Sequence, residues 1–485
     1  MNTQIDHDTP AERDASLDPT ASVVVALSET PAIPPELGAN DTASAPEGEA
    51  SAVESAPVDV STNTGAAPGT EKHGFLAPLR IANFRRLFSG QLVSRLGDNF
   101  YAVALPWLVL RAVTTAQAPL ALSFVLGSYA VAIGVFTLAG GVFADRYGPR
   151  ALMLTTDSWR LIIVSVLGVL TLTTTPPLWV IAALAAGLGA GSGLFYPASV
   201  AMVPHLVPPA DLQAANSFDQ MGMQTSNLLG PSAAGFILVA TRLAFGFVID
   251  AVSFAVSLVT VAAIRMPARA RETTGDGESV KKKGDGGLRE AVHFLRGAPF
   301  IVLVVSVSLV LNFAVNGLVD VALPLLLKQQ VGVNAGPRDF GIIIGGFGLG
   351  SVVGAVVAGM ASKLRRKALV SVAVLLPAAV LIGLVPLFHN PFAIAGLFVL
   401  MGVCLGLCNV LIITVVQGAI PLAMMGRVMS VMMLGSFIGT PLSLFAYGAA
   451  AALIHNIGLL FVIGAALFAV ASSIALANKM TWDME

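Results

Sequence analysis

The feature that most constrains this chain is a succession of apolar runs, each about as long as a bilayer is thick. From Phe88 onward, long stretches nearly free of charge alternate with short polar loops. A helix needs ~20 apolar residues to cross the hydrocarbon core, and there every backbone N–H and C=O must be bonded within the segment. Spans are expected at 88–110, 119–143, 151–173, 178–202, 217–240 and 244–264, then at 300–327, 340–361, 368–388, 391–416, 427–451 and 457–477. The expected fold is an all-α membrane protein of twelve transmembrane helices.

Composition agrees. Charged residues make up 11% of the 485 and the mean hydropathy is +0.81, whereas soluble domains carry about 25% charged residues. A net charge of −1 gives no footprint for nucleic acid. Cys404 and Cys408 lie one helical turn apart in an apolar run, with no histidine cluster beside them. They read as packing, so neither a metal nor a cofactor is expected. Gly346, Gly350 and Gly354 fall on one helical face inside a span. No strand precedes them, so they read as close helix packing and not as a phosphate loop. With no Walker loop and no nucleophile elbow, an ATP-driven pump or a membrane enzyme is not expected.

Residues 1–75 differ from the rest. They are rich in Ala, Pro, Thr, Ser, Asp and Glu, lack a helical or strand period, and read as a disordered acidic tail. No secretory signal is evident, so the tail is expected in the cytoplasm. Two helical halves, 80–264 and 299–478, flank a polar connector at 265–298. Within that connector, Leu288 to Gly297 could form an amphipathic surface helix. Arg80, Arg85, Arg86, Arg146, Arg150, Lys281, Lys282, Lys283, Lys363, Arg365, Arg366, Lys367 and Arg427 all fall on one side if the spans alternate. Arg111, Arg242, Lys328 and Arg338 fall on the other. The more basic side is the cytoplasmic one, which puts both termini in the cytoplasm.

The halves repeat. Val103-Ala104-Leu105-Pro106 recurs as Val321-Ala322-Leu323-Pro324, and Arg150-Ala151-Leu152 meets Lys367-Ala368-Leu369 at nearly the same offset. Parallel repeats of this kind are related by an axis along the membrane normal and place a substrate site near the midplane between them.

Between the second and third spans the chain reads Gly-x-x-Ala-Asp-Arg-x-Gly-x-Arg, carried by Gly141, Ala144, Asp145, Arg146, Gly148 and Arg150. This resembles the loop signature of the major facilitator superfamily, and the two-halves layout resembles that family from about Phe84 to Ala477. Finer detail is similar to the twelve-span drug:proton antiporters of the macrolide-efflux and enterobactin-exporter type. It lies in the stretch around Asn83–Leu110, in Gly193–Val207 and in Gly426–Ser430. The span 4 arginine of those antiporters is absent here, and their span 5 signature survives as Gly222, Gly230-Pro231 and Gly235. The resemblance implies a monomeric secondary transporter of the bacterial cytoplasmic membrane. It would export a drug, secondary metabolite or siderophore in exchange for protons. It also implies a cytoplasmic gate in which Asp145 meets the start of span 11 at Gly426 and Arg427. A nutrient importer or uniporter on the same scaffold is the alternative, and a non-transporting receptor or scaffold a remote one.

Ionisable groups inside spans cost about 2.5–3.5 kcal/mol each on insertion scales and default to functional candidates. Asp98, Asp320 and Asp250 are the candidates for proton coupling. Asp98 shares a helical stripe with Gln91, Ser94, Arg95 and Tyr101, and two readings stay open: a titrating site, or a self-satisfied Arg95–Asp98 pair. Asn312, Asn316 and Asp320 form the matching stripe in span 7, where the repeat sets Asn316 opposite Asp98 and Asp320 opposite Ala102. Arg95, Tyr101, Asn227, Asn312, Asn316, Asn409 and Met221 are candidates for lining the substrate cavity, with Gln417 and Tyr129 behind them. Asp157 and Arg160 read as a structural ion pair. Trp107 and Trp179 are expected to mark the external interface.

Overall fold

The computed structural model describes residues 76–265, 299–330, 336–360, 366–419, 422–454 and 456–478, without the side chains of 239, 299–301 and 417–437. The acidic tail, the connector with its lysines and expected surface helix, and Ser362, Lys363 and Arg365 lie outside the described residues, as do the side chains of Gln417 and Arg427.

The first half holds α1 (Ala82–Ala112), α2 (Ala118–Tyr147), α3 (Pro149–Thr173), α4 (Leu178–Leu206), α5 (Leu212–Ala240) and α6 (Ala244–Ala262). In the second, α7 runs through Pro299–Gly317, a π turn at Leu318–Ala322, and Leu323–Gln330. It is followed by α8 (Pro337–Met360), α9 (Lys367–Ala373 and Leu375–Leu384), α10 (Pro391–Ala419), α11 (Leu422–Leu453) and α12 (Ile457–Ala477). Among the described residues there is no strand.

Nine of these helices are long and apolar enough to cross a membrane, counted among the described residues. The exceptions are α1 and α5, and α11, of which only Ile438–Leu453 enters the count. α1 and α5 are the more polar pair because their polar side chains satisfy one another across the crossing.

Helix ends follow local chemistry. Pro119 and Pro149 sit in the first turns of α2 and α3, where a missing N–H leaves no bond unmade. α2 continues to Tyr147, so Ala144, Asp145 and Arg146 form its last turn and are not loop residues. Hydrogen bonding does not stop where the apolar run stops, and a cation in the last turn suits the helix dipole. Gly148 ends the helix with φ +82° and its N–H on the Ala144 carbonyl at 2.9 Å, and Pro149 starts the next. That φ favours glycine whatever the surrounding space.

The halves meet along two seams, α5 against α8 and α2 against α11. A Cβ on Gly341 would stand 2.4 Å from the Pro231 carbonyl oxygen, and one on Gly348 would stand 2.9 Å from that of Asn227. On the other seam Gly127 faces the Phe445 ring and Gly448 faces Ser123. Lys328 Nζ also donates to the Leu110 carbonyl at 3.2 Å, capping the end of α1 from the end of α7. These contacts lie toward the end where α1, α5 and α7 finish. Toward the opposite end Phe143, Tyr147, Met221, Val357 and Met360 are exposed, and a Cβ on Gly141 or Gly359 would meet nothing within 4 Å. Among the described residues the halves are thus joined at one end and parted at the other. Trp179 is 71% exposed, but Trp107 is 6% exposed and belongs to the core, so only the first fits an interface role.

Candidate functional site

α1 sends its polar side chains two ways. Arg95 and Asn99, four residues apart, share the face toward α5. The Arg95 guanidinium donates to Asp219 Oδ1 at 2.6 Å, to the Asp219 carbonyl at 3.0 Å and to Gln91 Oε1 at 3.1 Å. Asn99 Nδ2 donates to the Arg95 carbonyl at 2.8 Å and to the Ser226 carbonyl at 3.3 Å. The self-satisfied Arg95–Asp98 pair is therefore not formed: Arg95 is tied to α5 and lies off the cavity lining. Asp98, turned about 100° from Asn99, faces the space between the halves.

That space is a cavity of about 310 Å³. α1 lines it with Asp98, Tyr101, Ala102, Leu105 and Pro106, and α2 with Leu126, Tyr129, Ala130 and Ile133. α7 contributes Asp320, and α11 contributes Thr440 and Leu444. Two carboxylates and two phenol rings thus face an otherwise apolar space, with no basic side chain in its lining among the described residues. Ala102 and Asp320, matched by the repeat, line it from opposite halves.

Asp320 lies within the π turn of α7, which begins just after the point where α11 meets the helix at Gly317. The Ser443 hydroxyl of α11 accepts from the Gly317 N–H at 2.8 Å and donates to the Phe313 carbonyl. In a regular helix those two backbone groups would bond each other. The widened bond is farther along, from the Leu323 N–H to the Leu318 carbonyl, and π turns of one repeat occur often at functional sites. Gly317 permits the approach, since a Cβ there would stand 2.2 Å from the Tyr447 ring and 2.7 Å from Ser443 Oγ.

Of the other residues singled out in the sequence, Asn316 donates to Thr440 Oγ1 at 3.1 Å and so braces the cavity wall. Asn312 donates to the Ser308 carbonyl of its own helix at 2.8 Å. Asn227 sits at the α5–α8 seam. Met221 and Asn409 are exposed, and neither is in the cavity lining. Thr440 and Leu444 had no sequence signal beyond the small polar residue beside Pro441. Asp157 and Arg160 form an ion pair, and the Ser257 hydroxyl donates to the second Asp157 oxygen at 2.8 Å. Asp250 is fully buried in α6 and is not part of the lining. Cys404 and Cys408 are free thiols, and no group of metal-holding residues occurs among the described residues.

The signature between α2 and α3 lies at the parted end. Arg150 donates to the Ala262 carbonyl at 2.8 Å, beside Arg86 on the Ala263 carbonyl at 3.0 Å and Asn83 on that of Arg265 at 2.8 Å. Three donors thus satisfy the carbonyls at the end of α6, which no helical N–H can reach. The Arg146 guanidinium lies 5.5 Å from the centre of the Tyr147 ring. Asp145 is exposed and makes no hydrogen bond or ion pair among the described residues.

Two bundles of six helices, a cavity between them lined from both, and one joined end define a membrane transporter built from two repeated halves. The family described as the Major Facilitator Superfamily matches residues 87–444, and the chain belongs to it. An uncharacterized MFS-type transporter, YfiS of Bacillus subtilis (strain 168), is 25% identical over 351 residues, covering 70% of this chain and 80% of that protein. Macrolide efflux protein A of Streptococcus pyogenes is 25% identical over 184 residues, 38% of this chain and 45% of that protein. Among solved structures, a D-xylose-proton symporter superposes with a TM-score of 0.62 at 14% identity, covering 85% of this chain and 98% of that one. A bacterial homolog of the human lysosomal transporter Spinster does so with a TM-score of 0.61 at 13% identity, covering 83% and 98%. At these identities the solved structures establish the fold. The protein is a multi-pass membrane transporter, of a family of transporters and not of enzymes.

Proposed function

We propose that this protein exports a small amphipathic compound across the bacterial cytoplasmic membrane in exchange for protons. The observation that carries the reading is the cavity in which Asp98 of one half and Asp320 of the other face the same apolar, ring-lined space. Carboxylates without a basic neighbour in the lining favour a neutral or cationic cargo over an anionic one. Each can hold either a proton or a cargo's positive charge, and that competition is what exchange requires. The relative that acts on macrolides supports an outward direction for part of the chain.

Arg86, Arg146 and Arg150 gather at the parted end, which supports the reading of that end as cytoplasmic by the positive-inside rule. The cavity then opens to the cytoplasm and loads there. Closing the α2–α3 end while the two glycine seams part would present it to the other side, by rocking of the two halves about the cavity.

Everted vesicles with an imposed pH gradient test this. Gradient-driven uptake of a fluorescent amphipathic cation into the vesicles is expected, falling to the level of vesicles without the protein in Asp98→Asn. Full gradient-driven uptake by Asp98→Asn would remove Asp98 from the coupling. Accumulation by intact cells would make the protein an importer.

A further inference from the structure

Behind the wall that Tyr101 makes for the cavity stands a second set of charges that exchange at Asp98 and Asp320 does not use. Asp250 of α6 is 0% exposed. The Ser253 hydroxyl donates to the Asp250 backbone carbonyl at 2.8 Å and reaches Oδ1 at 3.3 Å, while Oδ2 has no partner. The Tyr101 hydroxyl is likewise buried and without a partner.

The charged and titratable groups within electrostatic reach of Asp250 are Asp98 and Tyr101 of α1, Tyr129 of α2 and Arg160 of α3. Asp157, on the same helix as Arg160, acts on Asp98 as well, as does Arg95, which is held by Asp219. α5 approaches α6 with Leu238, at Gly246.

Counting charges decides the matter. Three carboxylates, those of Asp98, Asp157 and Asp250, lie within electrostatic reach of the one guanidinium of Arg160. Arg160 is already committed: it pairs with Asp157, and its guanidinium lies 3.9 Å from the centre of the Phe195 ring and 4.4 Å from that of Phe254. Asp157 is satisfied at both oxygens. An ionised Asp250 would be a buried charge with no counter-ion and one bare oxygen, a state that proteins avoid by neutralising the group. Its acid form is uncharged, and its Oδ1 stands beside Gly97, the residue before Asp98, where a Cβ would lie 2.8 Å from it.

We propose that Asp250 is a second proton-binding site, set behind the cavity and close enough to Asp98, across Gly97, for the two charges to sense each other. Two like charges sharing one site do not ionise together easily. A proton resident on Asp250 therefore leaves Asp98 free to ionise and take a cargo's positive charge, and loss of that proton calls one back to Asp98. The proposal rests on proton exchange as the reading of the cavity, and its test separates the two.

The test is pH-difference infrared spectroscopy of the purified full chain in nanodiscs, following the acid C=O band of slowly exchanging, buried carboxyls. In Asp98→Asn/Asp320→Asn one such band is expected to persist and to change with pH. It should vanish when Asp250→Asn is added. A double variant without a titrating buried band overturns the proposal, as does a triple variant that keeps it. If wild-type vesicles show no gradient-driven transport, proton antiport fails, while the spectra still decide whether Asp250 binds a proton.

Discussion

The crossing of α1 with α5 and that of α7 with α11 are the same joint in two repeats, and they are built differently. In the first half α1 stays α-helical from Ala82 to Ala112 with Pro106 inside it, and Asn99 bonds the Arg95 carbonyl of its own helix and the Ser226 carbonyl of α5. Gly230 of α5 makes room for that amide, a Cβ there standing 2.5 Å from the Asn99 side chain. At the aligned position α7 has Gly317, and the polar group comes from the partner helix as Ser443. Just after it the ladder widens into the π turn that carries Asp320. The first half also holds Asp98, Asp157, Arg160 and Asp250 together, whereas the second faces the cavity with Asp320 beside Thr440. Duplication supplied one frame; one copy became the seat of charge, the other a joint whose π turn follows directly on the contact with its neighbour.

If that contrast is right, filling the space at Gly317 should do the most harm. Gly317→Ala puts a methyl on the Tyr447 ring and Ser443, and overpacking of this kind costs about 1–3 kcal/mol. We expect a lower Tm in detergent and near-complete loss of transport. A variant with wild-type Tm and transport would mean that the tight approach of α11 is dispensable.

Ser443→Ala is the gentler break. Without the hydroxyl α11 loses its hold on the Gly317 N–H, at the residue just before the π turn, and a π turn that closes to α-helix rotates the rest of the helix by about 100°. Asp320 would leave its place on the cavity while the core stays filled. The expected result is a folded protein whose KM for cargo rises about tenfold, the equivalent of ~1.4 kcal/mol. Cysteine labelling at position 320, in Asp320→Cys with and without Ser443→Ala, reads the movement directly. Equal labelling in the two backgrounds would show that the turn survives without Ser443.

Much of this architecture is legible in the residues, and some of it could not be. The spans, the repeat and the alignment of Ala102 with Asp320 come from periodicity and a fixed offset, both local properties. Asp98 stands out because a carboxylate inside a span needs a reason. The partner of Arg95 was not legible: Asp98 lies three residues away on the same helix, but Asp219, 124 residues on, offers both a carboxylate and a carbonyl in line. Nor was the π turn, or the Ser443 hydroxyl that bonds the Gly317 N–H just before it from 126 residues away on another helix. Arg150 belongs to a signature expected at a gate, yet it bonds the end of α6 within its own half, a contact that depends on how α6 packs. Trp107 fits an interface by residue type alone, and tertiary packing places it in the core. Each miss is a contact between helices far apart in sequence.

The smallest effect should come from the joint in the first half. Asn99→Ala removes two hydrogen bonds, but the Arg95 and Ser226 carbonyls each keep the chance of a helical N–H partner, because α1 and α5 are regular there. A lost bond of this kind contributes about 1 kcal/mol, and the Arg95–Asp219 bridge still holds α1 to α5 one turn away. We therefore expect a small drop in Tm, an unchanged KM and an unchanged dependence on the pH gradient. Placed beside Ser443→Ala, this variant is the sharper half of the comparison. If Asn99→Ala raises KM as much as Ser443→Ala does, then both crossings set the cavity alike. If it leaves KM alone, the second half alone positions its carboxylate through its neighbour, and the first half keeps Asp98 in place by the regularity of α1 itself.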